Sequence, residues 1–181
     1  GTIENQLEAF PFSKWNPEPI LANDDFRRAL YLAIDRNELA SSSTGYMPTN
    51  YYFNDMYLVD SELGIPYRST EQGQHVGDDY FPDTLGYNYD EAKSLYLKAI
   101  EELIDSGIYQ KGTQENPTVI TLRLLNFDSN EKTRAISGFL EQAFEELFVD
   151  DVNFVRIEIS PTYMDLPYIY YDNMMIGEFD L

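Results

Sequence analysis

Cysteine is absent from the 181 residues. Disulfide scaffolds, zinc ribbons and thiol catalysis are therefore excluded. The absence assigns no compartment, because an exported chain avoiding oxidative mispairing and a cytosolic chain both fit it. Basic residues are scarce: Lys and Arg total 12 against 32 Asp and Glu, a formal net charge of -20. Phosphate backbones require a basic footprint, so nucleic acid is excluded as a partner. An anionic membrane face is excluded on the same ground. No apolar run approaches the roughly 20 residues of a membrane-spanning helix, so direct insertion is not expected. No signal-peptide pattern opens the chain. Histidine and tryptophan occur once each.

Hydrophobic residues make up 43% of the chain, enough for the core of one soluble domain. The acidity reads first as a solvated surface. Aromatic residues reach 15%, with 15 Tyr and 11 Phe. Tyrosine joins an apolar ring to a polar tip and suits half-buried surfaces and clefts. Much of it lies at 46–89 and 163–171, outside the clearest helical patterns.

Residues 1–22 carry Pro11, Pro17 and Pro19 and read as irregular, with a short extended piece at 9–12. The spacing of Phe26, Ala29, Leu30, Ala33 and Ile34 predicts one helix over 24–40, capped by Asn23 or Asp24. Residues 42–88 show no sustained period and hold eight Gly and Pro residues between Gly45 and Gly86. An irregular stretch this long is unusual inside a domain and points to a functional or wrapping segment. Tyr51-Tyr52-Phe53 and Met56-Tyr57-Leu58-Val59 are candidate short ordered pieces within it. A second helix is predicted over 89–106, capped by Asn88 or Asp90 and ended by Gly107. Strands follow at 118–126 and 152–160, with a helix over 130–148 between them. A short helix at 164–174 and a strand beginning at 179–181 complete the pattern. The fold class expected is α/β, a sheet with flanking helices. Because the chain stops inside an expected strand, it is expected to be a piece of a longer protein.

Candidate chemistry is sparse. His75 lies in Gly73-Gln74-His75-Val76-Gly77-Asp78-Asp79, which reads as an exposed acidic loop, and no Gly-x-Ser-x-Gly elbow supplies a partner. Carboxylate pairs such as Asp78/Asp79 and Asp150/Asp151 are what so acidic a chain produces by chance. Asn126-Phe127-Asp128-Ser129-Asn130 opens like a calcium loop, but Glu131 and Ser137 stand where its Gly and Glu would be. Helix capping by Asp128, Ser129 or Asn130 explains it better. Lys111-Gly112-Thr113 lacks the rest of a phosphate loop. No metal and no cofactor is expected.

Five segments, in order, resemble the second large lobe of the extracellular solute-binding proteins of family 5, which serve ABC importers of peptides and nickel. They are Asp25-x-Arg27-Arg28-Ala29-Leu30-x-x-Ala33-Ile34-Asp35-Arg36-x-x-Leu39-Ala40, then Gly45-Tyr46-Met47-Pro48, then Gly86-Tyr87-Asn88-Tyr89-Asp90-Glu91-Ala92-Lys93-x-Leu95. The strand–helix–strand of 118–160 and Gly177-Glu178-Phe179-Asp180 follow. The match covers about residues 10–181. It departs from the family at 98–103, which runs longer than the usual helix ending, and over 49–85.

The resemblance implies a periplasmic-binding-protein-like lobe of the type II, peptide-binding cluster, with 1–181 as a single lobe and 42–88 as an irregular segment within it. It implies a monomeric binding protein rather than an enzyme. Such a protein captures peptides between two lobes and delivers them to ABC permease subunits. It would sit outside the cell, as a lipid-anchored lipoprotein, or in the periplasm. The ligand-binding positions carried over are Asn126, Phe127, Asp128, Lys132 and Tyr168. In that role Asp128 takes a peptide amino terminus, Lys132 takes a carboxylate, and Phe127 and Tyr168 cover side chains. Arg27, Arg28, Asp35 and Arg36 are expected to hold structure. The alternatives are a secreted acidic hydrolase using paired carboxylates and a surface-interaction domain whose contact face is 42–88.

Overall fold

Two parallel strands, β3 (Thr118–Phe127) and β5 (Val155–Met164), form the frame of the fold. The computed structural model describes residues 13–14, 16–43, 47–48, 55–79 and 84–181. A two-residue strand, β4 (Val149–Asp150), pairs antiparallel with β5, so the sheet is mixed, in the order β3-β5-β4. Alternation sorts the side chains. Ile120, Leu122 and Leu124 are buried beside Val155, Ile157 and Ile159, while Thr121, Arg156 and Ser160 face water. The helices pack on the buried face alone, which is why these parallel strands alternate instead of reading as continuous apolar runs.

The expected helix over 24–40 is two helices, α1 (Asp24–Leu32) and α2 (Arg36–Ser43). Asn23 caps α1, its side chain accepting from the Phe26 N–H at 3.0 Å. The break follows from the Asp-Arg pair. Asp35 Oδ1 accepts from the N–H groups of Asn37 and Glu38, each at 3.0 Å, and so starts a new helix. Arg36 reaches back, its Nη1 donating to the carbonyls of Tyr31, Ile34 and Leu85 at 3.1–3.3 Å. Its guanidinium lies over the Tyr31 ring, 4.5 Å from the centroid. The Asn88 N–H takes the Leu32 carbonyl at 2.9 Å. The last carbonyls of α1 thus find partners from across the chain.

The segment over 42–88 contains regular elements among its described residues. A hairpin of β1 (Leu58–Asp60) and β2 (Ile65–Pro66) leads through a 3₁₀ turn at Tyr67–Ser69 into α3 (Glu71–Asp79). His75 therefore stands on a helix, exposed, and not in a loop. Residues 9–12 and 51–53 lie outside the described residues.

Helix α4 (Tyr89–Asp105) and helix α5 (Glu131–Leu147) fall where the periodicity puts them. Asn88 caps the first, and Gly107, at φ +78, ends it in the left-handed conformation glycine favours. Arg28 binds Glu91, Nη2 to Oε1 at 2.8 Å, and ties α1 to α4. Lys93 of α4 donates its ammonium to the carbonyls of Leu147 and Val149, closing the end of α5. Phe26, Tyr96 and Phe148, from α1, α4 and the residue after α5, meet with ring centroids 5.2–6.3 Å apart. The Tyr96 hydroxyl donates to the Val155 carbonyl at 3.1 Å, joining this cluster to β5. Burial pushes the Tyr96 phenol well above its usual range.

The second strand runs past its expected end at 160, to Met164. In a parallel ladder alternate residues turn their N–H to one neighbour. On β5 the odd positions face away from β3. Ile157 N–H reaches the Phe148 carbonyl at 3.0 Å and Ile159 N–H reaches Glu145 Oε1 at 2.8 Å. Pro161 falls at the next such position, where no N–H is needed, so the strand continues through it. The helix expected over 164–174 is a single π-type turn at Ile169–Met174. Residues 179–181 form no strand, yet they bond to β3: Asp180 and Leu181 donate to the Arg123 carbonyl, and the Leu125 N–H donates to the Leu181 carbonyl, all at 3.0 Å.

Gly138 sits inside α5 with nothing within 4 Å of the place a Cβ would occupy. Gly138→Ala is expected to stabilise the protein by about 0.5–1 kcal/mol, because it removes backbone freedom from the unfolded chain without a clash. A thermal midpoint raised by about 1–4 °C is the corresponding readout.

Candidate functional site

In open α/β sheets ligands favour the space beyond the carboxyl ends of parallel strands. Here that end is where Phe127 of β3 stands in register with Met164 of β5. Two connections leave it: the turn 128–130 into α5, and residues 165–168 into the π-type turn. All five sequence-predicted positions lie on these elements.

Their side chains are used differently. Asn126 points inward. Its Nδ2 lies within 3.2 Å of the Ser137 hydroxyl and the Leu124 carbonyl, and Ser137 is fully buried on α5. Asn126 therefore clips β3 to α5. Asp128 adopts φ +52, and its N–H donates to the Met164 carbonyl at 2.8 Å, holding the two strand ends together. Its carboxylate accepts from the Asn130 N–H at 2.7 Å and from Asn130 Nδ2 at 2.9 Å. Asn130 in turn caps α5, accepting from the Thr133 N–H at 2.9 Å. Of the three cap candidates in the sequence, Asn130 is the cap and Asp128 builds the turn before it.

Phe127 and Tyr168 face water, at 53% and 63% exposure. Lys132 is exposed on the first turn of α5. Tyr168 opens a run with further exposed apolar surface: Tyr170, Tyr171, Met174 and Met175. The Tyr170 and Tyr171 rings meet edge to face, 5.2 Å apart. Sequence reasoning missed Arg134. Its guanidinium lies 4.6 Å from the centroid of the Tyr163 ring, and its Nε donates to the Ser129 carbonyl at 3.0 Å. Only the fold brings 134 and 163 together, so spacing carried no signal for the pair. Arg134 and Lys132 are both exposed on the first turn of α5, and Arg134 is the one that lies over a ring, that of half-buried Tyr163.

Of the carboxylate pairs, Asp150 is engaged in structure. Asp150 is buried and accepts from the N–H groups of Val152 and Asn153 and from Asn153 Nδ2 at 2.7–3.0 Å, shaping the turn into β5. The side chains of Asp78 and Asp79 lie outside the described residues. A cleft of about 180 Å³ between α2, the start of α4 and the second half of α5 is lined by Asp35, Glu38, Tyr87 and Glu146. Burial, followed by the charges of Asp35 and Glu38, raises the Tyr87 phenol above its usual range. Asp35 there is committed to the α2 cap. Among the described residues no group of three or more His, Asp or Glu side chains is placed to hold a metal ion. No helix among them is long and apolar enough to cross a membrane.

No protein-family model matches the chain, and no curated protein matches it in sequence. Among solved structures it is similar to MppA, a periplasmic murein tripeptide-binding protein, in its unliganded open form, at a TM-score of 0.48 and 18% identity. The likeness covers 98% of this chain, which spans 30% of the length of that protein. Agreement at this level assigns neither a family nor a ligand.

Proposed function

We propose that this chain is one lobe of an extracellular solute-binding protein of family 5. In the whole protein two lobes close on a peptide and present it to the permease of an ABC importer. The observation that carries the reading is the carboxyl end of β3 and β5, where exposed Phe127 precedes the turn into α5, with Lys132 and Arg134 on its first turn, and exposed Tyr168 lies on the connection that follows β5. Rings that offer flat apolar surface and cations that take a carboxylate, at one end of a sheet, suit a short peptide. Asn126 and Asp128 shape the floor of this site, and their polar groups are held by Ser137, Met164 and Asn130. In this reading the protein is a monomeric receptor without catalysis, at the cell surface by a lipid anchor or in the periplasm. The paired-carboxylate hydrolase is less favoured, because Asp150 of the Asp150/Asp151 pair is buried, with Oδ1 on the N–H groups of Val152 and Asn153 and Oδ2 on the Asn153 side-chain amide.

With one lobe, half the contacts of a closed cleft are missing. Titration of the chain with a mixture of tripeptides is expected to give weak binding, with dissociation constants on the order of 1 mM. Chemical-shift changes are expected at 127–134 and 163–175, and Tyr168→Ala is expected to weaken binding about threefold or more. Shift changes confined elsewhere, or hydrolysis of the peptides during the titration, would overturn the assignment.

A further inference from the structure

The protein treats its two sheets differently. In the β3-β5-β4 sheet the outer side of β3 at Arg123 and Leu125 and the far side of β5 both carry partners. Asp180 and Leu181 bond along β3, and β4, Glu145 and Pro161 occupy the far side of β5. Such blocking keeps foreign strands from adding to a sheet. In the β1–β2 hairpin, among the described residues, no comparable partner lies along the outer side of β1. Neither of its strands pairs with any other described strand, and only β2 carries a proline, Pro66.

The hairpin is also apolar where it meets water. Leu58, Val59 and Leu63 are 44%, 56% and 73% exposed, with exposed Ile65 beside them. Leu58 and Val59 are consecutive on a strand and so lie on opposite faces, which leaves neither face polar. A two-stranded hairpin is marginal by itself and gains from a third strand or a covering surface. Apolar clustering of this kind marks an interaction site.

Charge selects the occupant. Asp55, Asp60, Glu62 and Glu71 border the patch. The one cation of this border, Arg68, is paired with Asp55 at 3.2 Å. A second copy of this chain would bring the same carboxylates against themselves, each copy carrying a net charge of -20. We propose that the β1–β2 hairpin is a docking edge for another protein, which adds to it an extended segment of apolar residues interleaved with lysine or arginine. Main-chain bonds along β1 would supply register, Leu58, Val59 and Leu63 the apolar contact, and the acidic border the selection for basic partners.

The test uses the 181-residue chain and a short synthetic peptide of alternating lysine and valine, followed by NMR. Saturable binding is expected, with shift changes concentrated at 56–66. Two controls separate the contributions: a lysine–serine alternation and a glutamate–valine alternation. Each is expected to bind about tenfold more weakly or worse, the loss that follows from one unburied apolar side chain or from repulsion. Val59→Lys is expected to weaken the lysine–valine peptide about tenfold while leaving the spectrum of the β3–β5 sheet unchanged. Equal binding of the lysine–serine peptide, shift changes elsewhere, or no saturation would overturn the proposal. Self-association of the chain through 56–66 in sedimentation would overturn it too, by making the occupant a second copy.

Discussion

Asp180→Ala is expected to destabilise the protein by about 3 kcal/mol, the lower end of what removal of one partner from a buried ion pair costs. The carboxylate is almost fully enclosed, with its side chain 2% exposed. It accepts four hydrogen bonds. Arg123 Nε and the Arg123 N–H reach Oδ2 at 2.8 and 2.9 Å, while Arg123 Nη2 and the Glu18 N–H reach Oδ1 at 3.0 and 3.1 Å. Deleting it strands two backbone N–H groups and a guanidinium. Because Arg123 is itself about one-third exposed, water recovers part of its solvation, and the lower end of the range applies. Urea denaturation reads the change as a lower midpoint at an unchanged slope.

The same carboxylate gives the effect a pH signature. Burial tends to raise the Asp180 pKa. Hydrogen bonds from Arg123 and from the N–H groups of Arg123 and Glu18, with the guanidinium charge, outweigh it and hold the pKa below the ordinary range. A carboxyl whose folded pKa is lowered contributes stability above its unfolded value, near 3.9, and loses it as pH falls through the folded value. The stability gap between wild type and Asp180→Ala should therefore be constant from about pH 5 to 7 and narrow below about pH 4. A gap that widens on acidification would show that Asp180 is not held as an anion by Arg123.

Asp180 belongs to the Gly177-Glu178-Phe179-Asp180 motif, and Asp35 and Arg36 to the helix motif that the sequence makes conspicuous. In both places the motif residues hold the main chain. Asp180 seals the edge of β3, Asp35 starts α2, and Arg36 closes α1 against Leu85. The break between α1 and α2 was hidden because Ala33 and Ile34 keep the apolar period across it. What fixes the break is the Asp35 cap together with the reach of Arg36 to a carbonyl 49 residues away, which no local spacing reveals. Helices α4 and α5 were legible because their caps and apolar stripes are local, and the observed ends lie within a residue of the expected ones. Helix α3 was not legible. It contains Gly73, where a Cβ would come within 2.2 Å of the Tyr67 carbonyl oxygen, so close packing on the 3₁₀ turn, and not propensity, calls for that residue. For the candidate site, the sequence supplied five positions by resemblance, and they lie on β3, the turn after it, the start of α5 and the connection after β5. It was silent on which way each side chain turns, because Asn126 is turned by Ser137 of α5 and the Asp128 backbone is held by Met164 of β5.

Phe148→Ala is expected to cost about 3–5 kcal/mol, the usual loss for a large aromatic side chain removed from a core. The ring is fully buried and stands 5.4 Å from Phe26, 5.2 Å from Tyr96 and 5.6 Å from Phe144. These neighbours come from three different helices, so no single one can shift to fill the void without leaving its own partners. The backbone of Phe148 is equally committed: its N–H donates to the Phe144 carbonyl at 2.8 Å, and its carbonyl accepts from the Ile157 N–H at 3.0 Å. That fixity prevents collapse of the cavity and argues for the upper part of the range. Against a domain stability of about 5–15 kcal/mol, the loss is roughly a fifth of the total or more. Phe148→Leu keeps most of the volume and should cost only about 1–1.5 kcal/mol. The cluster lies at the β4 end of the sheet, remote along β5 from Met164 and Tyr168. Hydrogen exchange in Phe148→Ala should therefore accelerate in the β3–β5 ladder by global opening, with the native chemical shifts of 126–132 and 168 retained. If those shifts moved under native conditions while the denaturation midpoint held, the aromatic cluster would be shaping the candidate site instead of carrying the stability of the fold.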